Sequence, residues 1–116
     1  MIVKFTEFEK YQDRLNGIFV GGCVSRGEGS SFRAKAHTHF DENDMAWICV
    51  RSIKRVYMPD GIRPSNLILH ELAHALVDKR HWHDDVWMTK LHELGGNIDA
   101  QYKNTKNYKR FLKRKK

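Results

Sequence analysis

Several things are missing from this 116-residue chain, and each absence removes a class of protein. No apolar run approaches the roughly 18 residues of a membrane span, so a membrane protein is not expected. The N-terminus, MIVKFTEFEKYQDRL, carries acids and lysines where a signal peptide needs an uninterrupted apolar stretch, so a cytoplasmic location is expected. Cysteine is scarce: Cys23 and Cys49 stand far apart with no C-x-x-C pair, which argues against a disulfide framework and against a zinc ribbon. Both read as buried thiols. The length suits one small domain with a single modest core, and 41% hydrophobic and 30% charged residues are ordinary for a globular chain.

Acidic residues are also absent after Asp99, and this explains the net charge of +7. Lys103, Lys106, Lys109, Arg110, Lys113, Arg114, Lys115 and Lys116 lie beyond it, and the remainder holds 13 basic against 14 acidic residues. The basicity belongs to the C-terminal segment QYKNTKNYKRFLKRKK, where Tyr102, Tyr108 and Phe111 are interleaved. Such a tail is either a solvated end or a contact for DNA or another polyanion, its cations meeting phosphates and its rings stacking on bases. Residues 1–101 are expected to form the domain and 102–116 the basic tail.

Within the domain, Phe8, Tyr11 and Leu15 have helical spacing behind a possible Thr6 cap, which predicts a short amphipathic helix over 6–15. Glycines at 17, 21 and 22 interrupt it, and the pattern then turns to strands. RAKAHTHF alternates, placing Ala34, Ala36, Thr38 and Phe40 on one face and Lys35, His37 and His39 on the other. The turn-like DEND separates it from apolar MAWICV, and SIKRVYM offers one more strand. A small antiparallel sheet is predicted. After PDGIRPS, a helix starts at Pro64 or Ser65 and runs to about Lys79. A second spans about Asp84 to Leu94, with acids at its positive end and Gly95 as its C-terminal cap.

Four of the seven histidines fall in LILHELAHALVDKRHWHDDVW, residues 67–87. His70, Glu71 and His74 spell H-E-x-x-H in the middle of the predicted long helix. Four residues of helix leave the two imidazoles about 40° apart on one face and about 6 Å apart along the axis, so both can reach one ion. Glu71 stands beside them, able to reach a water on that ion. Two neutral imidazoles holding zinc and a carboxylate taking a proton from water is the division of labour in metal-assisted hydrolysis. Chance placement would produce the pattern in roughly 0.02 chains of this composition. The alternative, ordinary histidines on an amphipathic helix, is weakened because Leu67, Ile68, Leu69, Leu72, Ala73, Leu76 and Val77 make the helix apolar nearly all round. Polar groups inside such a helix are costly without partners.

A catalytic zinc site takes three protein ligands and leaves a fourth position open. The metzincin pattern needs Gly and His where Val77 and Arg80 stand, which excludes that class. The gluzincin pattern, with a Glu some twenty residues on, fits Glu93. His81 and His83 in the turn between the helices are the other candidates. HELGG at 92–96 imitates the motif without its second histidine.

LHELAHAL followed by His83, Trp87, Gly95 and Gly96 resembles the SprT-like metalloproteases, the group that includes bacterial SprT and eukaryotic Spartan. In that family a His four residues before an aromatic, at the start of the next helix, follows the H-E-x-x-H. The resemblance covers roughly residues 32–96 and implies a zincin-like α+β fold in which a small antiparallel sheet packs on the motif helix and a following helix. It implies one catalytic Zn2+ held by His70, His74 and His83, with His81 as the alternative, and Glu71 as general base and acid. The implied activity is that of a zinc endopeptidase acting on protein or peptide, in the eukaryotic members on proteins bound or crosslinked to DNA. The chain departs from the family in having Asp84 where glycine is usual and in lacking the zinc ribbon of bacterial members, so only the basic tail could supply DNA contact. Small size and the missing accessory part point to a phage or other compact genome.

Further expectations follow. The strand around Trp47 to Val50, or RAKAHTHF, would receive substrate by strand addition. Tyr57, His37 and His39 are candidate oxyanion stabilisers, although such residues are more often structural or solvated. Two other functions fit: a gluzincin-type protease cleaving a regulator through Glu93, and a non-enzymatic nucleic-acid-binding module in which zinc ties two helices together.

Overall fold

The computed structural model describes residues 1–77 and 81–115. Lys79, the predicted end of the long helix, and Lys116 lie outside those residues, but the helix itself stops earlier than expected, at Leu76, because Val77 is already extended at φ -106° and ψ 166°. Among the described residues, six strands and three α-helices form an α+β arrangement: β1 (Ile2–Val3), β2 (Leu15–Val20), β3 (Gly22–Cys23), β4 (Gly27–Glu28), β5 (Ala36–Phe40), β6 (Ala46–Val50), α1 (Asn66–Leu76), α2 (Asp85–Glu93) and α3 (Lys106–Lys115).

The main sheet has the order β1-β2-β6-β5 and is mixed, which corrects the antiparallel expectation. β1 pairs with β2 and β5 with β6 in antiparallel fashion, but β2 and β6 run parallel. The cause is the tight turn between β5 and β6. Asp41 Oδ1 accepts from the amides of Asn43 and Met45, both at 2.9 Å, and folds β6 back along β5. β6 then enters the sheet beside β2 pointing the same way. Hence β5 is an edge strand, with β1 at the other side, while Trp47 to Val50 lie in a central strand. The β3–β4 hairpin lies over the sheet and starts where the Gly21 amide donates to the Val50 carbonyl at 2.8 Å.

Three local expectations are altered. The predicted 6–15 helix is a 3-10 helix over Thr6–Tyr11, Thr6 does not cap it, and Leu15 belongs to β2. Strand pairing on both sides of β2 outcompetes a further helical turn, and Phe8 holds the short helix down through Phe5, ring to ring at 5.1 Å. SIKRVYM supplies a 3-10 helix at Ile53–Arg55 and a lone bridge between Tyr57 and Pro64. Residues 106–115, read from the sequence as tail, form α3, and its Phe111 is buried in the core.

α1 is trapped between the sheet and α2, which is why its sequence is apolar nearly all round. Ser65 caps it, accepting from the Ile68 amide at 3.2 Å. Ile68, Leu72 and Ala73 are fully buried, as are Ile48 and Val50 of β6 and Trp87, Met88 and Leu91 of α2. Asp84 caps α2 through the Trp87 amide at 3.0 Å. The end of α2 is tied to the start of α1. Gly95 takes φ 84° and the Gly96 amide donates to the Leu91 carbonyl at 2.9 Å. Asn66 then accepts from the Asn97 amide at 2.6 Å and donates to its carbonyl at 3.1 Å.

At Gly96 a Cβ would run into Leu91 Cδ1 and stand 3.1 Å from Asn66 Oδ1, so this joint needs glycine. Gly96→Ala is therefore expected to destabilise the protein by about 1–3 kcal/mol through overpacking, read as a lowered melting temperature. A melting temperature equal to the parent would show that the joint yields freely.

Candidate metal centre

The sequence delivers His70, Glu71 and His74 to the inner side of α1 within one turn, and the chain reversal before α2 brings His83 back to them. Donor atoms of His70, His74 and His83 all lie within 4.8 Å of one another. Nε2 of His70 and Nε2 of His83 are 3.1 Å apart. Ligands held tetrahedrally at about 2.0–2.1 Å from one ion stand about 3.3–3.4 Å apart, so this spacing is close to what shared coordination requires.

Chemistry supports the same fit. Burial, and then the neighbouring rings, lower the pKa of His70 to about 4 and that of His74 to about 3; burial also lowers that of His83. All three rings are thus neutral near pH 7, with lone pairs to give. His74 Nε2 is buried without a hydrogen-bond partner. An orphaned nitrogen beside two other imidazoles is what a cation would satisfy.

Trp87 holds the three rings in place. Its fully buried indole stacks on His74 at 5.0 Å and meets His70 and His83 edge-on at 4.6 and 4.7 Å. Its Nε1 also donates to the His70 carbonyl at 3.2 Å. His83 sits at φ 51°, a left-handed conformation that costs a residue with a Cβ roughly 1–2 kcal/mol. The turn bears this strain at the residue that aims the third imidazole.

Glu71 is buried beside the cluster. The Thr38 hydroxyl of β5 shares its single hydrogen between the Glu71 carbonyl at 2.8 Å and Oε1 at 2.9 Å, leaving Oε2 3.9 Å from His70 Nε2. Burial raises the carboxyl to about 7, against the lowering effect of the Thr38 hydroxyl. A carboxyl at this value can both take and release a proton near neutral pH.

The other candidates lie elsewhere. His81 is engaged by Asp84, Nδ1 to Oδ2 at 2.6 Å. Asp84 thus caps α2 and ties down the competing histidine. Glu93 is exposed at the far end of α2, paired with Lys90 at 3.0 Å. Tyr57 packs edge-on against Phe5 at 5.4 Å. His37 and His39 are half-buried rather than exposed.

Several site residues escaped the sequence reading. Tyr102 places its hydroxyl 3.3 Å from His83 Nε2, and the 72% exposed Trp82 stacks on His74 at 4.8 Å. Nothing local marked them, since Tyr102 read as part of the tail. Thr38 had a signal: its alternation already placed it on the face shared with Ala36 and Phe40.

A pH dependence follows from Glu71. Its folded pKa is raised, so the folded protein holds a proton that the unfolded chain has lost between about 4.5 and 7, and Glu71 weakens the fold as pH rises through that range. In chelator, Glu71→Gln should be more stable than the parent by on the order of 1–3 kcal/mol at pH 8 and show little difference at pH 4. Equal melting temperatures at both pH values would contradict a buried, charge-averse carboxyl. No protein-family model, curated protein or solved structure matches this chain.

Proposed function

We propose that this chain is a zinc-dependent endopeptidase with a zincin-like fold of the SprT-like type. The observation that carries the reading is the convergence of three neutral imidazoles, His70, His74 and His83, with the buried carboxyl of Glu71 beside them. A closed structural site has no use for such a carboxyl, and a hydrolase requires one.

Zinc held by the three histidines would acidify a water and polarise a peptide carbonyl. The rest of the chemistry belongs to the chain. Glu71, one oxygen steadied by Thr38 and the other turned to the cluster, accepts the proton of the attacking water. As the C–N bond breaks, it returns that proton to the leaving amine. Tyr102, with its hydroxyl at the cluster, is placed to donate to the oxygen that gains negative charge. β5 supports the substrate side of the reading. It is an edge strand of the sheet and it carries Thr38, so an extended peptide pairing with its open side would run past Glu71. Trp82 offers an exposed ring for a substrate side chain.

The basic residues suit a role on DNA-associated proteins. Lys106, Lys109, Arg110 and Lys113 recur at helical spacing and are exposed on α3, while Phe111 is buried and Arg114 pairs with Asp85 at 2.8 Å. The cationic stripe is thus the phosphate-facing element, and Phe111 serves packing instead of base stacking.

Glu71→Gln should retain zinc and lower cleavage of an unfolded protein such as casein by at least about 100-fold. Undiminished cleavage would end the hydrolase reading. Reversing Lys106, Lys109, Arg110 and Lys113 to glutamate should remove most salt-sensitive binding to duplex DNA and leave zinc content intact. DNA binding that survives the reversal would place the contact elsewhere. Reversal is the sharper test than deleting residues 103–116, because deletion also strips Phe111 from the core.

A further inference from the structure

The two cysteines, 26 positions apart, meet in the fold. Cys49 sits on β6, fully buried, and its direct cross-strand neighbour on β5 is His37. β3 of the hairpin brings Cys23, 5% exposed, over the same spot. One ligand atom from each of the three lies within 4.8 Å of the others. We propose that Cys23, His37 and Cys49 form a second metal site, separate from the histidine cluster, that binds a thiophilic cation of the zinc class through two thiolates and one imidazole.

Geometry gives the first support. Zn–S distances of about 2.3 Å and Zn–N distances of about 2.0–2.1 Å put two sulfurs and a nitrogen in tetrahedral positions about 3.5–3.8 Å apart, so closing on an ion requires sub-ångström to ångström movements. Three separate strands contribute, and the hairpin carries one of the two thiols. Its backbone is held by glycine: Gly22 has φ 156°, where a Cβ would stand 2.7 Å from Ser30 Oγ.

The second support is an unmet need. His37 Nε2 is buried with no hydrogen-bond partner, although its ring is packed against Phe32 at 4.4 Å. Burial lowers the His37 pKa, so the ring is neutral with a lone pair to offer. Burial pushes the Cys49 thiol up to about 11, a group that a divalent ion would convert to its thiolate with release of a proton. Two thiolates cancel the charge of a divalent ion, and a net neutral unit is the form that a dry interior accepts. Donors to sulfur are already in place: the Val24 amide reaches Cys49 Sγ at 3.5 Å, and the Ser25 hydroxyl stands 3.0 Å from Cys23 Sγ. A disulfide between the cysteines would leave the imidazole unsatisfied; an ion satisfies all three.

The hard–soft difference between the clusters makes them separable. Soft thiolate donors give cobalt(II) an intense near-ultraviolet charge-transfer band that three imidazoles cannot produce. The full-length protein, purified under reducing conditions and loaded with cobalt(II), should show this band and bind two equivalents of metal, one per cluster. In His70→Ala/His74→Ala the band should persist with one equivalent bound. In Cys23→Ser, and in the milder His37→Gln should the cysteine variant fold poorly, the band should be lost or shifted while the other equivalent remains. Absence of the band in the wild-type protein would overturn the proposal without touching the histidine cluster. A band unchanged in both Cys23→Ser and His37→Gln would overturn it as well.

Discussion

One indole underlies the histidine cluster. Trp87 is fully buried, touches all three imidazoles, and donates the one polar hydrogen of its ring to the carbonyl of His70. Its own amide is the donor that Asp84 captures at the start of α2, so the residue that caps the helix also sets the depth of the ring. Asp84 in turn restrains His81 and leaves His83 to swing toward α1. Tyr102 completes the arrangement by meeting Trp87 edge-on at 5.7 Å, which ties the segment before α3 to the same ring. Packing and metal-ligand geometry are thus one problem here: whatever positions the indole positions the donors.

The electrostatics follow from that packing. A buried helix cannot carry charge cheaply, and α1 carries two imidazoles and a carboxyl. Burial keeps the imidazoles deprotonated and holds the carboxyl near its neutral form, and both shifts reduce the cost in the metal-free chain. The same shifts suit a cation, since deprotonated imidazoles are ligands and a carboxyl of pKa about 7 exchanges protons readily. No conflict arises between folding and the proposed chemistry. The strain at His83 is the exception, a local cost offset by the contacts its ring makes.

Legibility in the sequence tracked the range of the interaction that fixes each feature. Ser65 marked the start of α1, and Asp84 and Gly95 the two ends of α2, because a cap is decided within four residues. H-E-x-x-H gave the face of α1 for the same reason. The Thr6–Leu15 periodicity misled because Leu15 is claimed by a strand partner, Ala46, over thirty positions away. The parallel pairing of β2 with β6 was equally invisible, since alternation reports faces and not neighbours. Cys23 and Cys49 read as unrelated thiols, and the register that sets His37 opposite Cys49 was needed to join them. Tyr102 was hidden by its charged surroundings, whose composition described the solvent side of α3 and not the side that packs.

β5 gives Thr38 to Glu71 on one face and His37 to the two cysteines on the other, and these residues are adjacent in the chain. A pleated strand sends neighbours to opposite sides, so a single peptide unit is the wall between the two polar clusters. A slip of that edge strand by one residue would exchange the faces, pointing an imidazole at the carboxyl and a hydroxyl at the thiols. Both clusters would fail together. The alignment of five residues at the margin of the sheet is therefore a shared tolerance, and the DEND turn that enforces it governs chemistry on two sides of the protein at once.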